Sequence, residues 1–390
     1  MTILSIETSC DETAVSVVQA DGEFPHATYE VLGNALFSQI DIHREYGGVF
    51  PMVAKREHAK TLVPMLERAL SEAGFLEATN TQLSPDVTAD LHEMLYREAT
   101  LGDSLIGFLE SHGKPPIDLI AVTSGPGLEP TLWVGINFAH ALASVWNAPV
   151  VPVNHMEGHI MASIFTGERI PEIRFPALAL LVSGGHTELD LMRSWGHYEC
   201  VGETRDDAVG EAFDKVARMF GLPYPGGPEV GARAAIARER NLPTFATLPR
   251  PMLDADNLDF SFSGLKTAVR YAIAKKKLSG DDVAALARDF EDAAVEVLVE
   301  KSRRAVETYG AKTLIVGGGV SANALLRERL TSFFTREYPE VTVYLPPQKL
   351  STDNSVMIAL AGHANAAHAR SADEFGATKA DGNLSLDAKA

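Results

Sequence analysis

Two histidines four residues apart, in His155-Met156-Glu157-Gly158-His159, are the residues of this chain best spaced to do chemistry. On a helix, positions i and i+4 share a face about one turn apart, so both imidazoles can reach one metal ion. The preceding run, Ala148-Pro149-Val150-Val151-Pro152-Val153, reads as a buried strand. It would put the pair at a strand's C-terminal end, where open α/β sheets hold their ligands. The same spacing also suits two unrelated histidines on a helix surface. Glu157 does not directly follow the first histidine, as it would in a zinc-protease motif, and it falls on another face of the turn. That argues against a water-activating role.

Leu350-Ser351-Thr352-Asp353-Asn354-Ser355 puts Asp353 where a helix would begin. Asp353 is either a helix cap or the carboxylate of a two-histidine, one-carboxylate site, a donor set suited to zinc or iron(II). Only the fold can bring it to His155. Ser183-Gly184-Gly185-His186-Thr187 offers backbone N–H groups that could form an anion-holding nest, with His186 read as a strand residue rather than a further ligand. Thr313–Leu330 is a strand, a triple-glycine turn and a helix whose first turn holds Ser321 and Asn323. Such a turn lets backbone approach a planar ligand or phosphate, and it also serves as a plain tight connection. Asp214 in Phe213-Asp214-Lys215 could accept hydrogen bonds from a ribose, or sit idle on a helix surface. Pro225-Gly226-Gly227-Pro228 again presents backbone free of side chains.

These residues need elements to position them. The chain has 390 residues, 46% of them hydrophobic and 22% charged, enough for two ordinary globular domains. No apolar run is long enough to span a bilayer and no basic leader precedes the first strand, so no membrane association is expected. Two cysteines, Cys10 and Cys200, suit a reducing compartment, and a cytoplasmic protein is the expectation. A formal charge of −18 disfavours a protein that grips nucleic acid unaided. Lys275-Lys276-Lys277 with Lys266 and Arg270 is the best local basic patch, or else a solvated helix face.

Ser5–Val18 and Ala179–Leu191 each read strand, small polar turn, strand. One such hairpin near the start of each half predicts a duplicated α/β fold whose turns face each other across a cleft. That is the plan of the actin-like ATPase and sugar-kinase (ASKHA) superfamily, an inference by analogy. Periodicity predicts helices over Val49–Ala73, Leu132–Trp146, Asp207–Phe220, Pro228–Arg240, Phe262–Lys277 and Asp281–Tyr309, and further ones from Ser321 and Thr352. The division expected is a first domain over 1–152, with an insertion at about 75–116, and a second over 153–370 whose last helix could pack back on the first. Residues 371–390 are small, polar and charged, and a disordered tail is expected.

Taken together, the His155–His159, Ser183–Thr187, Phe213–Lys215, Tyr224–Gly227, Phe262–Lys266, Gly317–Asn323 and Thr352–Asn354 motifs resemble the TsaD family. Glu7-Thr8-Ser9-Cys10-Asp11-Glu12-Thr13 and Tyr46-Gly47-Gly48-Val49-Phe50-Pro51 match as well, in the family's order from Ile3 to about Gly362. Its members are tRNA threonylcarbamoyladenosine transferases, formerly called glycoproteases. The resemblance implies transfer of a threonylcarbamoyl group from threonylcarbamoyl-AMP to the N6 amine of the adenosine beside the anticodon, in tRNAs reading codons that begin with A. It implies one divalent metal, iron(II) or zinc, held by His155, His159 and Asp353, with Mg2+ as a companion of any bound nucleotide. Leu181, Val182, Ser183, Gly184, Gly185, Asp214, Gly227 and Asn323 would line the adenylate site, and Asp11 would stand nearest the chemistry. The implied partners are tRNA, a TsaB-like paralogue and a TsaE-like ATPase. Leu181 stands where archaeal and eukaryotic relatives often carry a metal-binding Tyr, which makes the chain look bacterial or organellar. A metalloprotease would need Glu157 as its base, a sugar kinase would need no histidine pair, and a scaffold paralogue would have lost the ligands.

Overall fold

The computed structural model describes residues 1–274 and 277–387. Lys275 and Lys276 of the basic run lie outside these residues, and Lys266 is already committed to a 2.7 Å ion pair with Asp207. Two five-stranded sheets carry the molecule. In the first, β1 (Thr2–Glu7), β2 (Glu12–Asp21) and β3 (Thr28–Ser38) run antiparallel, and β4 (Leu119–Gly125) and β5 (Val150–Asn154) continue parallel on the other side of β1. In the second, β6 (Ala177–Val182), β7 (Thr187–Ser194) and β8 (His197–Glu203) are antiparallel, while β9 (Thr313–Gly317) and β10 (Thr342–Tyr344) lie parallel to β6 on its other side. The orders β3-β2-β1-β4-β5 and β8-β7-β6-β9-β10 are the same plan twice. This is the duplicated actin-like, sugar-kinase arrangement expected from the two hairpins.

Helices of the first half are α1 (Ile40–Arg44), α2 (Pro51–Glu72), α3 (Pro85–Met94), α4 (Ala99–Ser111) and α5 (Glu129–Trp146). The stretch at 75–116, read from sequence as weakly periodic, folds into α3 and α4. Its Leu91, Leu95, Leu101, Leu105, Phe108 and Leu109 join the core on the outer face of the first sheet. A middle core lies between the sheets around α6 (His155–Ile164) and α12 (Ser355–Ala364). The outer face of the second sheet is covered by α7 (Val209–Met219), α8 (Gly226–Glu239), α9 (Ser263–Ile273), α10 (Gly280–Tyr309) and α11 (Ala324–Glu337). Burial on both faces suits the continuous apolar run of β6.

Beyond the second sheet the chain returns to the first. α12 packs against β1, β2, β4 and β5, and Arg370 exchanges backbone hydrogen bonds with Val150 on the edge strand. The expected disordered tail is instead built into the structure through residue 387. A Ser371–Glu374 capping box starts α13 (Ala372–Phe375), Phe375 is 0% exposed, and Asp381 and Gly382 hydrogen-bond to Ser124 and Gly127. One buried ring and an edge of free backbone groups outweigh the polar composition of this segment. Among the described residues no helix is long and apolar enough to cross a membrane.

Candidate metal centre and adenylate cleft

β5 delivers the chain into α6 at Asn154, whose side chain caps the helix by accepting a 2.9 Å bond from the Met156 N–H. The cap fixes the first turn, so His155 and His159 emerge from one face with ring centroids 4.7 Å apart. Asp353 arrives from the other half. The cap of α12 is its neighbour Asn354, which accepts from the Met357 N–H at 3.0 Å and leaves the Asp353 carboxylate free. Asp353 Oδ1 lies 3.4 Å from His155 Nε2 and 3.2 Å from His159 Nε2.

Whether a metal fits is decided by these atoms. Donors held at about 2.0–2.1 Å around one tetrahedral ion lie about 3.3 Å apart, as Asp353 lies from each imidazole. All three donor atoms fall within 4.8 Å of one another. His159 Nε2 is buried without a satisfied hydrogen bond, and Asp353 Oδ1 lies 3.2 Å away. An orphaned buried nitrogen is costly unless something else binds its lone pair. The residues fit a divalent cation.

Glu7, at the end of β1 and 0% exposed, backs the site. Its Oε2 lies 3.0 Å from His155 Nδ1, and it also accepts from Thr123 Oγ1 at 2.6 Å and from the Ser9 N–H. A carboxylate only accepts, so Nδ1 carries the proton and Nε2 keeps its lone pair for an ion. Burial opposes the charge of His155, but Asp353 and Glu7 outweigh it and raise its pKa well above the ordinary value. Glu157 takes no part: it accepts from the Tyr198 hydroxyl at 2.8 Å and from Asn365 at 2.8 Å, and burial raises its pKa. That removes the general base a metalloprotease would need.

The two hairpin turns meet here. From the first, Ser9 Oγ reaches His155 Nδ1 at 3.2 Å, and Asp11 is 6% exposed with its Oδ2 unpartnered. Burial raises the Asp11 pKa. Cys10 is a poor nucleophile, because burial and then the Asp11 charge push its thiol well up. In the second turn, His186 lies between β6 and β7 rather than on a strand. Burial depresses it to about 4, and the charges of His155 and His159 add to the effect.

Glycine backbone makes up much of the surrounding turns. A Cβ on Gly184, Gly185, Gly227 or Gly319 would meet nothing within 4 Å. Gly210 is needed where α7 begins, since a Cβ there would sit 2.5 Å from the Ser183 carbonyl. At Gly318, φ is +85° and a Cβ would meet the Val182 carbonyl at 2.5 Å, so only glycine lets this turn close on β6. Leu181 and Val182 are both 0% exposed with side chains in the cores, which leaves only their backbone for a ligand. The nest expected at Ser183–Gly185 is partly filled from within. Ser183 Oγ accepts from the Gly185 and His186 N–H groups, and the Ser183 N–H donates to the His186 carbonyl. Asp214 Oδ1 accepts from the Gly226 N–H at 2.7 Å, locking the start of α8. Asn323 caps α11 and donates to Glu291 at 2.7 Å.

A family model described as tRNA N6-adenosine threonylcarbamoyltransferase (TsaD) matches residues 30–80 and 110–360. The chain belongs to this family. It is therefore an acyltransferase that modifies tRNA. The tRNA N6-adenosine threonylcarbamoyltransferase of Thermomicrobium roseum is 43% identical over 387 residues, covering 93% of this chain and 91% of that protein. Those of Paraburkholderia xenovorans and Bacillus cereus are 43% and 42% identical over 92% or more of the chain and at least 90% of their own length. In fold, the chain resembles the crystal structure of HypF from T. kodakarensis, with a TM-score of 0.52 at 11% identity, over 94% of this chain and 49% of that one. Family membership places the matched motifs in a known order, whereas the contacts of Glu7 and Thr123 behind the His155–His159–Asp353 cluster are set by the structure. The sequence signal for Glu7 was its place in the first hairpin motif.

Proposed function

We propose that the chain transfers the threonylcarbamoyl group of threonylcarbamoyl-AMP to the N6 amine of the adenosine 3′ of the anticodon in tRNAs that read codons beginning with A. The observation that carries this reading is the Asp11 carboxylate, buried beside the His155–His159–Asp353 cluster with one oxygen lacking a donor. An exocyclic amine supplies such a donor. Asp11 orients the amine and takes up its proton as the nitrogen bonds to the carbamoyl carbon. The carbon–oxygen bond to phosphate breaks in the same displacement, and AMP leaves with the electron pair. The Gly184 N–H, unlike those of Ser183 and Gly185, is free to meet phosphate charge. Asp214, Gly227 and Asn323 border the nucleoside part of the donor.

His155, His159 and Asp353 hold iron(II) or zinc, and the bound ion supplies Lewis-acid polarisation of the carbonyl region. Glu7 keeps the His155 ring turned towards the ion. A TsaB-like paralogue and a TsaE-like ATPase complete the working assembly, in line with the −18 charge of a chain poorly suited to capturing tRNA alone. The test is transfer of labelled threonine to unmodified tRNA by the chain with these partners, compared with His155→Ala and Asp353→Ala. Collapse of labelling in both folded variants supports the reading. Full labelling in both removes the cluster from the reaction.

A further inference from the structure

We infer that Tyr46 and Phe50 form a stacking platform at the rim of the cleft for an unpaired base of the tRNA anticodon loop. The inference rests on the proposed reaction at Asp11 and adds the surface that presents the adenosine to it. Among the described residues, eight large hydrophobic side chains are exposed, and three fall within seven positions: Tyr46 at 56%, Phe50 at 52% and Met52 at 60%. The two rings lie near parallel, with centroids 5.9 Å apart and planes at 25°. Burying such rings against each other alone would leave their outer faces wet, a costly use of two aromatics unless something stacks on them.

The platform is held rigidly and close to the chemistry. Gln39 donates its N–H to the Asp11 carbonyl at 2.9 Å, and His43 donates its own to the Gln39 carbonyl at 3.0 Å. His43, 0% exposed, packs its ring on Tyr46 and accepts from the Phe50 N–H at 3.3 Å. Two hydrogen bonds along the backbone thus join Asp11 to the residue that orders both rings. The loop also bridges to the other half of the molecule: Arg44 donates to the Tyr224 carbonyl at 3.3 Å, and Arg218 to the Gly47 carbonyl at 2.5 Å. Through these contacts the platform spans the mouth between the Asp11 turn and the Asp214 helix.

Charge selects the occupant. On a chain of −18, the platform loop contains Arg44, which pairs with Asp41 at 2.9 Å, and is held by Arg218 from the facing helix. Arg218 is exposed, uses one guanidinium nitrogen on the Gly47 carbonyl and, among the described residues, forms no salt bridge, so its other donors can meet a phosphate. Proteins read single-stranded RNA loops by stacking splayed bases on aromatic rings between such cations. An apolar protein surface would have no use for the flanking guanidinium groups.

The experiment follows binding of a fluorescent unmodified tRNA transcript by anisotropy, and single-turnover transfer at saturating threonylcarbamoyl-AMP, using the full chain with its partners. Phe50→Leu keeps an apolar side chain but loses the π face, and Phe50→Trp keeps it. The expected result is a tRNA Kd and KM raised about 5- to 100-fold in Phe50→Leu and in Tyr46→Ala, with Phe50→Trp near wild type. Calorimetric binding of AMP reports whether each variant keeps its fold. Equal tRNA affinity in Leu, Trp and wild-type proteins overturns the platform. So does loss of association with the partner proteins at unchanged tRNA affinity, which marks a protein interface. Wild-type protein that binds tRNA but transfers nothing overturns the proposed reaction instead, and the anisotropy series still decides the platform.

Discussion

Glu7 Oε2 stands 3.0 Å from His155 Nδ1, so the end of the central strand β1 is tied to the first histidine of the His155–His159–Asp353 cluster. The pair is buried at both ends, with Glu7 at 0% and His155 at 7% exposure. Glu7→Gln keeps the shape and removes the charge that fixes the imidazole tautomer. Zinc or iron(II) affinity, read by competition with a chromogenic chelator, is expected to fall about 10- to 100-fold. An unchanged affinity would make Glu7 a packing residue only.

Asp11→Asn removes the proposed proton acceptor while keeping the side-chain outline. Transfer to tRNA is expected to fall about 10²- to 10⁴-fold, with AMP binding retained. Burial holds the Asp11 pKa above the usual carboxylate range, so its basic form gains on raising the pH. Wild-type transfer should therefore rise with pH along a limb displaced upward from that of an ordinary carboxylate, and Asp11→Asn should lack that limb. Residual activity with the same limb would assign the base elsewhere.

Burial first raises both Glu188 and Asp190 on β7; the charges of Glu203 and the tail's Asp387 add to Glu188, and those of Glu188, Asp387 and Glu203 add to Asp190. Glu188 reaches about 7 from an ordinary 4.5. A carboxyl raised on folding contributes its stability below the unfolded value and loses it as pH climbs through the folded one. Urea unfolding should thus show wild type weakening between about pH 4.5 and 7. Glu188→Gln should flatten that decline and be the more stable protein at pH 8. A parallel decline in both would show that other groups govern it.

Phe375→Ala tests the return of the tail. Its ring is 0% exposed in the core under the first sheet, and its loss is expected to cost about 3 kcal/mol. Limited proteolysis should then cut the 376–387 segment well before the rest of the chain. Equal protection in the variant would mean that the backbone bonds from Asp381 and Gly382 hold the segment alone.

Much of this protein was legible in its sequence because the signals are local. Helix α2 follows from the spacing of Leu62, Leu66 and Leu70, and both hairpins follow from apolar runs broken by small polar turns. The i, i+4 spacing of His155 and His159 determined that the two imidazoles share a face, since helix geometry alone sets it. Composition misled at the tail, where Phe375 and a capping box decide the outcome, and at 75–116, where α3 and α4 bury leucines against a sheet the segment itself does not contain. What only the tertiary structure decided are meetings between distant segments. Asp353 reaches His155 from 198 positions away, and Glu7 from 148. Leu181 and Val182 turn into the cores while Gly184 faces open space. These placements depend on how two sheets pack around α6 and α12, and no local periodicity encodes a distance across a core.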